Sequence, residues 1–149
     1  MYHFISGYTS KVAGTEMGIL EPKPTFSACF GEAFLPLHPF VYAELLAKMC
    51  KEHNAKVWLV NTGWVRGAYG KGKRMSLTQT RAIIDSIHDD SLDMTKFKIM
   101  RRFGLMVPET VHGVDTEILR PIDSWDDKEA YTREAKKLAE KFVENFKRY

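Results

Sequence analysis

Asn61-Thr62-Gly63-Trp64-Val65-Arg66-Gly67-Ala68-Tyr69-Gly70-Lys71-Gly72-Lys73-Arg74-Met75-Ser76 carries the strongest local pattern in this chain. The apolar run before it, Val57-Trp58-Leu59-Val60, reads as a buried strand over residues 56–60. The loop holds Arg66, Lys71, Lys73 and Arg74 and no acidic residue. Ser76, with Gln79 three residues on, has the spacing of a helix N-cap and capping box. Strand, basic glycine loop and helix N-terminus, in that order, build an anion site. Glycines let backbone N–H groups approach a ligand, the first helical N–H groups lack intrahelical partners, and cations add attraction. A nucleotide is the natural occupant. The plain alternative is a solvated basic turn, because Gly and Lys are common in exposed loops.

Gly67, four residues, Gly72 and Lys73 match seven positions of the phosphate-binding pattern G-x-x-x-x-G-K-[ST]. Arg74 stands at the eighth, where a hydroxyl should meet magnesium. Tyr69 also puts a bulky ring into a loop that must wrap phosphates tightly. Both departures argue against a Walker A loop.

The 149 residues suffice for one domain with a sizeable core, and 44% apolar with 28% charged content is ordinary for a soluble globular chain. The net charge of +3, gathered largely in one loop, makes no case for nucleic acid. No apolar run approaches the ~20 residues of a membrane span, and the N-terminus lacks the pattern of a signal peptide. Cys29 and Cys50 have no Cys or His neighbour at metal-ligand spacing, so free thiols in a reducing cytoplasm are expected. Tyr2-His3-Phe4-Ile5 reads as a strand with no polar lead-in after Met1, so the sequence looks cut from something longer.

Gly14 to Pro24 reads as an irregular loop, and Phe26 to Gly31 as buried small-residue packing near a glycine turn. Leu37-His38-Pro39 marks a helix start, with Pro39 near N1, and Tyr42, Leu45, Leu46 and Met49 form a stripe expected to pack in the core. In the helix after the basic loop Thr80 leads the stripe of Ile83, Ile84 and Ile87. Its hydroxyl either meets a ligand or bonds a local carbonyl. Lys96 to Ile99 alternates like a strand, and Gly113 to Pro121 reads as a loop with a short turn. Ser124, with Asp127 three on, is expected to cap a final helix to about Arg148, striped by Tyr131, Ala135, Leu138, Phe142 and Phe146. The alternation of strands and helices makes the class α/β.

The five histidines are scattered and none pair at i, i+4, and no Ser or Cys stands in a nucleophile elbow. His38 reads as a helix-start residue, and Asp89-Asp90 as a solvated helix exit. Phosphoryl transfer needs metal-binding carboxylates beside the cations. This chain offers the cations alone.

Long collinear blocks then point to a family. Tyr2 to Lys11 with Ala13-Gly14-Thr15-Glu16, Thr25 to Gly31, Leu37-His38-Pro39 with Tyr42-Ala43, and Asn61-Thr62-Gly63-Trp64 resemble the ATP-dependent phosphoenolpyruvate carboxykinases. Gly72-Lys73-Arg74, Thr80 to Asp85, and Gly113-Val114-Asp115-Thr116 with Ile118-Leu119 and Pro121 continue the resemblance. It implies the C-terminal part of the family's nucleotide-binding domain, with a mixed sheet, flanking helices and a long C-terminal helix. It implies a single C-terminal, nucleotide-contacting portion over residues 1–149, inactive alone and packed on an N-terminal portion. The family's phosphate-binding loop, its metal ligands and its oxaloacetate-binding residues would then lie upstream. The implied chemistry turns oxaloacetate and ATP into phosphoenolpyruvate, ADP and carbon dioxide in gluconeogenesis, using magnesium with manganese or calcium. Three positions carry over to the adenosine side of ATP: Arg74 against adenine, Met75 as apolar contact and Thr80 as hydrogen-bonder. Nothing carries over onto Arg66, Tyr69 or Lys71. A stand-alone nucleotide-binding or scaffold module without chemistry is the competing class.

Overall fold

The computed structural model of the protein describes residues 1–11, 17 and 21–149. The described chain divides into two compact units, residues 1–60 with 140–149, and residues 61–139. The block Ala13-Gly14-Thr15-Glu16 and most of the loop expected from Gly14 lie outside the described residues.

The first unit opens with α1 (Tyr2–Ser6), where a strand was expected over residues 2–5. Four residues are too few to separate the two periods, and capping settles the matter. Gly7 closes the helix in the left-handed region (φ 53°, ψ 42°), its N–H donating to the His3 and Phe4 carbonyls. The Ser6 hydroxyl donates to the Tyr2 carbonyl at 2.9 Å. The turn brings Ile5 and Ser6 fully inside. The chain leaves Gly7 as β1 (Tyr8–Lys11), which pairs antiparallel with β2 (Lys23–Phe26), Tyr8 opposite Phe26. A short 3-10 turn at Ala28–Phe30 follows, with Cys29 and Phe30 at positive φ; of the segment expected to be buried only Ala28 is, and Phe30 is 52% exposed.

The second helix, α2 (Pro39–Glu52), begins as the sequence requires: Pro39 enters its first turn and His38 Nδ1 accepts from the Phe40 N–H at 3.4 Å. Asn54, at φ 48°, turns the chain beyond its end. Its expected core stripe needs correction. α2 packs on α1 and the Ala28–Phe30 turn through the fully buried Ala43, while Leu45 and Met49 are exposed. The small residue permits the close approach, and the long apolar side chains flank it.

Residues 56–60, expected as a buried strand, are neither. They carry no regular structure, and Val57, Leu59 and Val60 are 66%, 49% and 39% exposed. A β-rich run becomes a strand only when a neighbouring edge receives its N–H and C=O groups.

Phe142, near the end of the last helix, is the hub of this unit. Its ring centroid lies 5.1 Å from Tyr8, 5.2 Å from Phe26 and 6.0 Å from His3. Tyr2 adds its ring at 6.1 Å and lies closer to Phe146, tilted at 4.7 Å. Burial in this cluster pushes the Tyr8 hydroxyl above its ordinary pKa. Burial first, and the N-terminal charge second, push the His3 imidazole below its own.

In the second unit β3 (Trp64–Val65) pairs antiparallel with β4 (Lys73–Arg74), and α3 (Leu77–His88) follows. The expected helix start is present: Ser76 Oγ accepts from the Gln79 N–H at 3.2 Å, and Gln79 Oε1 lies 3.2 Å from the same oxygen. Asp89 and Asp90 are exposed, and Asp89 accepts from the Ser91 N–H at 2.9 Å. The hydrogen bonds from Ser91, side chain first, hold its carboxyl below the usual range. β5 (Phe97–Met100) and β6 (Leu105–Pro108) form a third ribbon, stitched by the Lys98–Glu109 ion pair.

Between Gly113 and Pro121, read as a loop with a short turn, that turn is the single-turn helix α4 (Thr116–Leu119), pinned by the buried Ile118. α5 (Pro121–Ser124) follows, then the long α6 (Lys128–Phe146). The expected cap of α6 also needs correction. Ser124 belongs to α5 and donates to the Pro121 carbonyl, while Asp127 caps α6 by accepting from the Ala130 N–H at 2.8 Å. That hydrogen bond is the chief reason the Asp127 carboxyl sits below its ordinary pKa. The α/β class and the long C-terminal helix are both present. The strands pair as three two-stranded antiparallel ribbons.

Candidate functional site

The basic glycine segment folds as a hairpin loop over residues 66–72. Arg66 adopts φ 63° and Gly67 φ 151°, so the chain turns sharply as it leaves β3. Gly72 returns so closely over the start of the loop that an added Cβ would lie 2.6 Å from the Val65 carbonyl oxygen. Only glycine fits that throat. Within the loop the Lys71 and Gly72 N–H groups both donate to the Ala68 carbonyl, at 3.0 and 2.7 Å. Those are amides that a phosphate cradle would need free. The loop closes on itself, as the missing hydroxyl at position 74 already argued.

Trp64 and Tyr69 brace it edge to face, centroids 5.2 Å apart. Its cations are not equivalent. Arg66 lies against two carboxylates, Nη2 at 2.7 Å from Asp115 Oδ2 and Nη1 at 3.2 Å from Glu117 Oε2. Arg74 pairs by its backbone with Trp64, is exposed, and makes no ion pair among the described residues.

The three sequence-predicted residues run from the end of β4, through the connection, into the first turn of α3. Arg74 ends the ribbon. Met75 is half-buried, its N–H donating to the Gly63 carbonyl at 3.0 Å. Thr80 is half-buried in the first turn of α3, its N–H donating to the Ser76 carbonyl at 3.0 Å. Its hydroxyl makes no hydrogen bond among the described residues, so the local-carbonyl alternative is not realised. A half-buried hydroxyl at a helix N-terminus, an exposed guanidinium and a thioether between them offer a planar cation, an apolar surface and a polar tip. The Arg66 anchor escaped the sequence reading. Its partners lie 49 and 51 residues away, and no local spacing announces them.

Three antiparallel ribbons, a capped helix behind a basic hairpin and a long closing helix make this a mixed α/β protein with a cationic strand-to-helix corner. The family model for phosphoenolpyruvate carboxykinase matches residues 1–117, and the chain belongs to that family. It is 58% identical over all 149 residues to the phosphoenolpyruvate carboxykinase (ATP) of Campylobacter lari, covering 28% of that protein. It is 54% identical to the enzyme of that name from Brucella anthropi, again over the whole chain and 28% of the relative. The Dictyostelium discoideum protein of the same name is 52% identical, with 26% of it covered. The chain thus spans little more than a quarter of the length of these curated relatives. Among the described residues no helix is long and apolar enough to cross a membrane.

Proposed function

We propose that this chain is the C-terminal, nucleotide-contacting part of a cytoplasmic ATP-dependent phosphoenolpyruvate carboxykinase, which converts oxaloacetate and ATP to phosphoenolpyruvate, ADP and carbon dioxide in gluconeogenesis. The observation that carries the reading is the collinear match of all 149 residues to relatives bearing that name. Within the enzyme the β4–α3 connection meets the adenosine end of ATP. Arg74 lays its guanidinium plane against adenine, Met75 supplies apolar contact and the Thr80 hydroxyl bonds the nucleoside. The Arg74 guanidinium and the Thr80 hydroxyl, each without a side-chain partner among the described residues, suit that role, since neither gives up such a partner to take a ligand.

Metal ions fit this segment poorly. Among the described residues no three His, Cys, Asp or Glu side chains gather, and Asp115 and Glu117 already serve Arg66. Magnesium and manganese, like oxaloacetate, belong to other residues of the longer protein, on which this portion packs. This chain's own work is to hold and orient the nucleoside.

Two results are expected. The purified 149-residue chain, given oxaloacetate, ATP, magnesium and manganese, shows no turnover, because it lacks a charge clamp for the transferring phosphoryl group. Turnover above background would overturn this division of labour. In the full-length enzyme Arg74→Ala and Thr80→Ala each raise the KM for ATP roughly ten- to a hundred-fold, the loss of about 1–3 kcal/mol of contact. The constant for oxaloacetate stays nearly unchanged. Separate titrations of the two substrates decide the matter: a rise confined to oxaloacetate refutes the assignment, and small equal effects return Arg74 to a solvated turn.

A further inference from the structure

Arg66 stands where the hairpin leaves β3, one residue from Val65, whose backbone partner is Lys73, and two from Trp64, whose partner is Arg74. Its backbone occupies the left-handed region at φ 63°, costly for a residue with a Cβ. Its guanidinium holds two carboxylates at the start of α4: Asp115, whose carbonyl accepts from the Ile118 N–H, and Glu117 in the first turn. α4 is fixed in turn by Ile118, 7% exposed. The chain of contacts runs from a buried anchor, through α4 and the guanidinium fork, to the strand paired with Arg74.

We infer that Arg66, Asp115 and Glu117 form a latch that holds the β3–β4 hairpin in the position from which Arg74 and Met75 meet the nucleotide. Arg66 is then a positioning residue that touches no substrate. The inference rests on the reading of Arg74 given above. Two properties of the latch distinguish it from generic stabilisation. It engages one guanidinium with two carboxylates from a distant segment, so the Asp115 and Glu117 arms act through the same group. All three side chains are about half exposed, at 45%, 58% and 60%, so salt should weaken the latch.

The test uses the full-length enzyme and three variants: Arg66→Gln, the pair Asp115→Asn with Glu117→Gln, and all three changes together. Arg66→Gln is expected to raise the KM for ATP about fivefold, the size for two exposed ion pairs, with kcat and the oxaloacetate constant unchanged. The carboxylate pair should match it, and the triple variant should add nothing further. Between low salt and 1 M salt the wild-type KM for ATP should drift towards that of Arg66→Gln, while the variant responds less. Additive effects in the triple variant, or a loss spread over kcat and both substrates with a lowered melting temperature, would overturn the latch. So would an unchanged KM for ATP in Arg66→Gln when Arg74→Ala raises it, leaving the nucleotide reading intact. If neither variant moves that constant, the nucleotide reading itself fails and the latch goes with it.

Discussion

Gly7→Ala is expected to unfold the first unit, at a cost of about 3–5 kcal/mol from left-handed backbone strain and overlap together. Gly7 adopts φ 53°, which disfavours any residue with a Cβ. The added methyl would fall on the Ser27 carbonyl, 2.6 Å from its carbon and 3.0 Å from the Phe30 nitrogen. Both obstacles are backbone, so no side-chain rotation relieves the overlap. Gly104→Ala separates the two causes. Gly104 has φ 65°, yet a Cβ there would meet no atom within 4 Å. It should lose only the conformational share, about 1–2 kcal/mol. Urea unfolding of both variants measures the difference, and equal losses would mean that the Ser27 contact is unimportant.

Phe142→Ala is expected to cost about 3–5 kcal/mol, the range for emptying a buried aromatic site. The ring is 8% exposed and meets Tyr2, His3, Tyr8 and Phe26, drawn from α1, β1 and β2. Its removal leaves a hole that four elements would have to move to fill, counting α6 itself. Val143→Ala, one residue on and 60% exposed, should stay within about 0.5 kcal/mol. Near-ultraviolet circular dichroism follows the loss, because the tyrosines of the cluster would no longer be held in fixed surroundings. A Phe142→Ala protein with unchanged unfolding midpoint and spectrum would show that the cluster does not hold this unit.

Phe142 also shows how far the sequence could be read. Its place in the stripe with Tyr131, Ala135, Leu138 and Phe146 follows from helical spacing, since neighbours three and four apart share a face. That it meets Tyr8 and Phe26 does not, because contacts across more than a hundred residues leave no periodic trace. Starts of helices were legible where one side chain performs the capping, as at Ser76 and His38. They were misread at Ser124 and Asp127, where two eligible caps stand three residues apart and only geometry selects between them. The strand read at Lys96–Ile99 is present one residue further on, as Phe97–Met100, where the partner follows within a few residues. Strand readings failed at residues 2–5 and 56–60, where pairing would depend on chain elsewhere. At the site, Arg74, Met75 and Thr80 came from family resemblance, and the structure adds the uneven state of the cations. Arg66 is spoken for by Asp115 and Glu117, and Arg74 has no ion-pair partner among the described residues.

The irregular run at residues 56–60 has a bearing on handling and on folding in the cell. Val57-Trp58-Leu59-Val60 contains no proline, glycine or charge, and it leaves Val57 and Leu59 about half exposed or more. Short windows of this composition are the seeds of cross-β stacking, in which copies of one segment align and lock dry faces together. Lys56 is the single charged gatekeeper touching the run, and Asn61 closes the other end without charge. While those side chains stay uncovered, the rate at which chains meet one another sets how long the protein remains dispersed.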